Sequence, residues 1–299
     1  MKLLRLPAIF LLAALAACSS PQKKNTEKEE WIPLFNGKDL SGWDIKITGH
    51  DLNENFNNNF VVQDGILKVD YSGFTKFDGA FGHLYYKKPF SWYIVRTEYR
   101  FTGKQLEGGP SYAYLNSGVM IHSQSAASVT KYQSFPVSLE MQLLASDDKE
   151  KRHNGNLCTP GTEVSIDGAP VAAHCIDSRS KNSYSGEWVK AEAVVYGDSM
   201  VHHLINGDTV LTYAHTKVGG GFVNTGMTWT TGGFAADSLE WIKKDGTALA
   251  TGYIALQAES HPVEFRKVEL LNLEGCMDPA AANYKSYYLK ADNSQCKYK

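Results

Sequence analysis

The sequence predicts an all-β chain folded as an antiparallel sandwich or jelly roll. Three observations carry the prediction. Several segments alternate apolar and polar residues at period two, helical periodicity is hard to find, and turn residues punctuate the alternating runs. The alternating segments, in chain order, are residues 60–69, 93–101, 117–123, 138–144, 188–196, 201–205, 252–257 and 263–271, all enriched in β-branched and aromatic side chains. Asp64-Gly65 interrupts the first of them as a turn. Tyr196-Gly197-Asp198 and Asn206-Gly207-Asp208 bound a pair of hairpins around residues 201–205.

Two stretches exceed a minimal sandwich. Residues 145–185 are rich in Gly, Ser, Asp and Asn, and residues 219–250 run from a glycine-rich stretch through Asp237-Ser238-Leu239-Glu240-Trp241. Both read as long ordered excursions, and long loops at one end of a sandwich are where a site is usually built.

The N-terminus has a different character. Lys2 and Arg5 precede an apolar run over residues 6–17, followed by Leu15-Ala16-Ala17-Cys18. A charged start, an apolar middle and a small-residue cleavage site make residues 1–17 a lipoprotein signal peptide. The run is shorter than the roughly 20 apolar residues a spanning helix needs. Cys18 is therefore expected to become a lipidated first residue, and two or more acyl chains give durable membrane anchoring. Residues 18–30 are polar and read as a flexible tether. Ser19, rather than Asp, after the cysteine resembles the pattern of lipoproteins sent to the outer membrane, facing the periplasm or the cell surface. The formal net charge of −2 becomes two units more negative once Lys2 and Arg5 are removed, so nothing attracts nucleic acid.

Residues 31–273 are long enough for one large sandwich with a sizeable core. Four cysteines remain beyond Cys18. Pairing by neighbourhood joins Cys158 to Cys175 and Cys276 to Cys296, each closing a loop of about 20 residues and contributing roughly 3 kcal/mol. Zinc ligation is the rival reading, against which stands the absence of a CxxC pair. Residues 274–299 resemble a short cysteine-bounded module found near the ends of surface and secreted proteins of Bacteroidetes-type bacteria. They depart from it at residues 285–290, and we read them as a small disulfide-closed structural appendage.

The segment Leu34-Phe35-Asn36-Gly37-Lys38-Asp39-Leu40-Ser41-Gly42-Trp43 resembles the opening signature of the 3-keto-glycoside hydrolases, a family also described as 3-keto-glucoside lyases paired with 3-keto-2-hydroxy-glucal hydratases. The likeness continues in order through Asp64-Gly65-Ile66-Leu67, Asn116-Ser117-Gly118-Val119-Met120-Ile121, Leu139-Glu140-Met141-Gln142-Leu143-Leu144, Gly186-Glu187-Trp188, Asn206-Gly207, residues 252–257 and Val263-Glu264-Phe265-Arg266. It implies a concanavalin-like jelly roll with a concave sugar-binding face. Departures fall at Ala145, where the family has aspartate, at Lys267, and at Gly155-Asn156-Leu157-Cys158, where a Gly-Ala-Ile-Tyr segment is expected.

Alternation along strands selects the candidate residues. Leu139, Met141 and Leu143 turn to the core and Glu140 and Gln142 to the cleft. Val119 and Ile121 turn inward, leaving Met120 and His122 outward. Ile254 and Leu256 turn inward, leaving Tyr253, Ala255 and Gln257 outward. On one concave face Glu140, His122, Gln142, Tyr253 and Gln257 would converge, with Glu259 and His261 at the rim. A 3-keto sugar has an acidic hydrogen at C2, so the chemistry implied needs a base, a donor for the C3 oxygen and a proton for the leaving group. Glu140 is the expected base or acid/base and His122 its partner. Gln142 and Gln257 would hold hydroxyls, and Trp229 would be the sugar platform. Trp43 and Trp188 sit in scaffold motifs. The sequence requires no cofactor, and a divalent metal at loop residues is compatible with it. A nucleophile elbow, a phosphate loop and a Glu-x-Asp-x-x-Glu pattern are all missing. Two functions follow, cleavage of 3-keto-glycosides at the envelope or, as the alternative, a non-catalytic carbohydrate-binding surface lipoprotein.

Overall fold

The computed structural model describes residues 28–220 and 228–299. The expected signal peptide over residues 1–17, Cys18, all but the end of the expected tether and residues 221–227 of the second excursion lie outside the described residues.

Two antiparallel sheets face each other and enclose a single principal core. The back sheet has ten strands and is centred on the paired strands Trp92–Phe101, Val189–Tyr196 and Val263–Asn272. The front sheet has seven, in spatial order Cys175–Ile176, Leu157–Cys158, Leu139–Leu144, Asn116–Ser123, Tyr253–Ala258, Gly82–Tyr86 and Trp43–Ile47. This is the jelly-roll β-sandwich that the alternating pattern predicts.

Strand Trp92–Phe101 shows the cause in miniature: Tyr93, Val95, Thr97, Tyr99 and Phe101 are buried between the sheets, and their neighbours are half-buried on the outer face. There Arg96 bridges Glu192 at 2.8 Å and Glu269 at 2.9 Å, and Arg266 pairs with Glu98 at 2.6 Å. Such partly solvated pairs on the outer face are worth about 1 kcal/mol each, so the inward aromatic row stabilises the strand far more. The two-residue turns are as read. Asp64 and Gly65 have φ of 53° and 75°, Asn206 and Gly207 of 51° and 94°, the left-handed pairs that a type I′ hairpin requires.

The opening signature is a scaffold device. Asn36 Oδ1 accepts from the backbone of Lys38 and Asp39, and Asp39 accepts from the backbone of Ser41, so the chain turns tightly. Trp43, beyond it, is buried and donates to the Leu34 carbonyl at 2.9 Å. Trp188 differs from a core residue, being sandwiched on the outer face between Arg100 and Arg266, each 4.6 Å from its ring.

Both disulfides form as paired by neighbourhood, Cys158 with Cys175 and Cys276 with Cys296. The second closes the C-terminal segment. That segment docks on the sandwich where Leu289 and Lys290 donate to the Leu273 carbonyl, and Lys285 pairs with Glu30.

Candidate functional site

The outer face of the front sheet builds the site by register. Cys175 faces Cys158, Cys158 faces Glu140, Glu140 faces Met120, and Met120 faces Ala255. One step along, Gln142 faces Gly118, and the register of Leu256 with Val119 places Gln257 on the other side of that glycine. The Glu140 side chain leans across Gly118 toward Gln257. A Cβ at position 118 would lie 2.7 Å from Glu140 Oε1 and 2.9 Å from its Cγ, so only glycine leaves this path open.

Gln257 ties two carboxylates together. Its amide is oriented by the hydrogen-bond network so that the nitrogen donates to Glu140 Oε1 at 3.3 Å and to Glu259 Oε2 at 3.2 Å. Glu140 is 5% exposed and Glu259 3%. Burial raises the Glu140 carboxyl to about 8, opposed by the bond from Gln257. Burial, and then the neighbouring Glu140 charge, hold Glu259 well above the ordinary carboxylate range, with Arg152 opposing. Two like charges this close in a dry site cannot both form cheaply, so the pair retains a proton through neutral pH.

The pair opens on a cavity of about 300 Å³. Asn116 and Gln142 line it beside the carboxylates, and Tyr112 and Phe135 supply aromatic surface. The remaining wall is Cys158, Pro160, His174 and Cys175. A deep carboxylate pair with hydrogen-bonding amides and flanking rings suits a small polyhydroxylated ligand that must be oriented and exchange protons.

Of the residues predicted to converge, Glu140, Gln142, Gln257 and Glu259 do. Glu259 is in the depth of the site rather than at its rim. His122, Tyr253, His261 and Trp229 are elsewhere, which corrects the expectation of one shared face. His122 has φ 49°, and the pairing of its strand with the neighbouring one shifts between Tyr253 and Ala255. The left-handed turn of the backbone breaks alternation and sends the imidazole between the sheets. There Nε2 lies 3.2 Å from the Gly197 carbonyl and the ring meets Tyr93 edge-on. Burial lowers its pKa to about 4. Tyr253 follows the same bulge and lines, with His122 and Trp241, a larger concavity of about 710 Å³ away from the carboxylate pair. We place the site in the smaller cavity because it holds the buried titratable pair.

Ser260, at φ 70°, does the same after Glu259. It turns His261 away to pack against Phe101 and Tyr114, with Nδ1 accepting from the Leu115 backbone at 3.3 Å. Burial, then the Arg152 charge, lowers His261 to about 4. Trp229 is no exposed platform. It is buried in a satellite core with Val137, Val218, Phe234 and Trp241 and donates to Asp245 at 3.0 Å.

Two donor sets bear on metals. The ligating atoms of Cys158, His174 and Cys175 lie within 4.8 Å of one another, but the sulfurs are joined in a disulfide and offer no thiolate. Glu140 and Glu259 offer oxygens of the kind a hard divalent cation takes.

Fold and site together define a β-sandwich protein with a buried carboxylate pair in a sugar-sized cavity. The chain belongs to the family of the 3-keto-alpha-glucoside-1,2-lyase-like domain, whose model matches residues 30–271, and its function is carbohydrate-related. No curated protein matches the chain. Among solved structures, a protein of Parabacteroides distasonis provisionally described as a glycosyl hydrolase is 20% identical, with 81% of this chain and 94% of that one covered at a TM-score of 0.47. A second protein of that organism, described in the same way, is 15% identical, covering 82% and 100% at 0.47. A Bacillus subtilis protein with a galectin-like fold is 12% identical, covering 82% and 97% at 0.46.

Proposed function

We propose that this protein is an enzyme that cleaves 3-keto-glycosides by removing the C2 proton and expelling the C1 substituent, held at the outer membrane by lipid on Cys18. The observation that supports it most is the Glu140–Gln257–Glu259 arrangement. A lone catalytic base needs a pKa near the working pH, and burial puts Glu140 there. Glu259, also held well above the ordinary carboxylate range and keeping its proton, is a neutral donor suited to the C3 oxygen, where negative charge develops once the C2 proton leaves. Gln257 keeps the two acids in fixed relation, and Gln142 and Asn116 are placed to hold hydroxyls.

The step runs without an oxocarbenium ion. Glu140 takes the C2 proton, and the electron pair is delocalised onto the C3 oxygen under the Glu259 hydroxyl. Re-forming the ketone makes a C1=C2 double bond and breaks the C1–O bond. Water then enters and adds at C1, and C2 regains a proton from Glu140, whose carboxyl has by then exchanged its proton with that water. No cofactor enters this sequence. A binding module would call for a flat aromatic face, whereas the two buried carboxylates favour the enzyme over that alternative. Incubation with 3-keto-glucosides and with ordinary glucosides, followed by analysis for free 3-keto-glucose, tests the reading. Release from the former alone is expected.

A further inference from the structure

We propose that His174, presented by the Cys158–Cys175 disulfide, donates the proton to the leaving-group oxygen; this rests on the 3-keto-glycoside reading above. The mechanism leaves that proton without a source, since Glu140 must be ionised to act and Glu259 faces the C3 oxygen. Among the described residues lining the cavity, His174 is the one imidazole. Neither His122 nor His261 reaches it.

Its position is set from both sides. The disulfide closes the loop from Cys158 to Cys175, and the Thr159 backbone and hydroxyl both donate to the His174 carbonyl, at 2.9 and 3.1 Å. A ring nitrogen lies within 4.8 Å of both sulfurs. Cys158 is in turn the register partner of Glu140, so their Cβ atoms stand about 5 Å apart. Imidazole and carboxylate therefore border the same space from either side of the disulfide, where a sugar ring would present C2 to one and its C1 substituent to the other. Across the cavity from His174 stand Glu140, Glu259 and Tyr112, and Asp177 follows on its own segment.

The proton balance closes. An ionised Glu140 and a protonated His174 become a protonated Glu140 and a neutral His174 as the aglycone leaves as an alcohol. In the second half water gives its oxygen to C1 and one proton to His174, while Glu140 returns its proton to C2, and both groups are reset.

The test compares His174→Gln with the wild type on 3-keto-glucosides bearing alkyl or nitrophenyl leaving groups, following cleavage and C2 hydrogen exchange. Gln can hydrogen-bond but cannot give a proton, and a nitrophenolate needs none. The variant is expected to lose about a hundredfold in kcat with alkyl leaving groups. It should lose less than about threefold with nitrophenyl ones and keep wild-type exchange at C2. The double variant Cys158→Ser/Cys175→Ser, checked for folding by its Tm, should show the same split. Equal losses on both substrates mean a structural role, and no loss on either means no role; both overturn the proposal for His174 alone. A wild type that neither exchanges C2 hydrogen nor cleaves either substrate overturns the 3-keto reading and this role with it.

Discussion

Replacing Glu140 by Gln should make the protein more stable and nearly inactive, and the stability gain should depend on pH. In the unfolded chain the carboxyl titrates near its ordinary value of 4.5, whereas in the folded protein it holds its proton to about 8. A raised folded-state pKa means that the unfolded chain releases the proton first. The group's stability contribution is thus fully present below pH 4.5 and is lost as pH rises toward 8. Each pH unit in that window is worth roughly 1.4 kcal/mol, or about 3 kcal/mol by pH 7. Relaxation and water entry reduce such figures, and at least about 2 kcal/mol should remain. Gln has similar volume, can accept from Gln257 and does not titrate. Urea unfolding at pH 5, 6, 7 and 8 reads the effect as the gap between variant and wild type, which should be smallest at pH 5, under about 1 kcal/mol, and widen steadily. Parallel curves at all four pH values would refute a buried carboxyl kept neutral by its surroundings. In the same variant kcat should fall at least about a hundredfold, because Gln cannot take the C2 proton.

The wild-type kcat/KM should rise with pH through about 8, as Glu140 ionises; a profile flat from pH 6 to 9 contradicts that role. Gly118→Ala places a Cβ 2.7 Å from Glu140 Oε1, so turnover should drop by about tenfold or more, and wild-type kinetics in a folded variant would show that Glu140 does not need this path. Cys18→Ser should leave the protein out of the membrane fraction, and recovery wholly with outer membranes would end the anchoring argument.

The sandwich was legible where its strands are half-buried and its turns need particular residues. Residues 93–101 alternate because one face meets the opposite sheet and the other meets water, and Asp64-Gly65 and Asn206-Gly207 are turns that few other pairs can make. Strand Gly82–Tyr86 was missed because it is buried on both faces, which erases the period-two signal, whereas Trp43–Ile47 does alternate and was passed over as the end of the opening signature. The seven-residue helix Ser238–Lys244 is too short to show a helical period. In the site, alternation found Glu140 and Gln142, and through Gln257 it also implied Glu259, two residues further along the same face. It failed at His122, because nothing in the local sequence announces its left-handed backbone. It failed again at His261, one residue beyond Ser260 at φ 70°. Tyr112, Phe135 and His174 come from turns and excursions, where no periodicity orders side chains. Only the cysteine pairing pointed toward that wall.

The central claim is C2 proton abstraction in the cavity of Glu140 and Glu259. Incubating the protein with a 3-keto-glucoside in deuterium oxide and following the C2 position by NMR tests it most directly. The account predicts deuterium at C2 together with release of 3-keto-glucose, with no cleavage of the corresponding ordinary glucoside. Release of the aglycone with C2 hydrogen fully retained, or cleavage of the ordinary glucoside at a comparable rate, contradicts it.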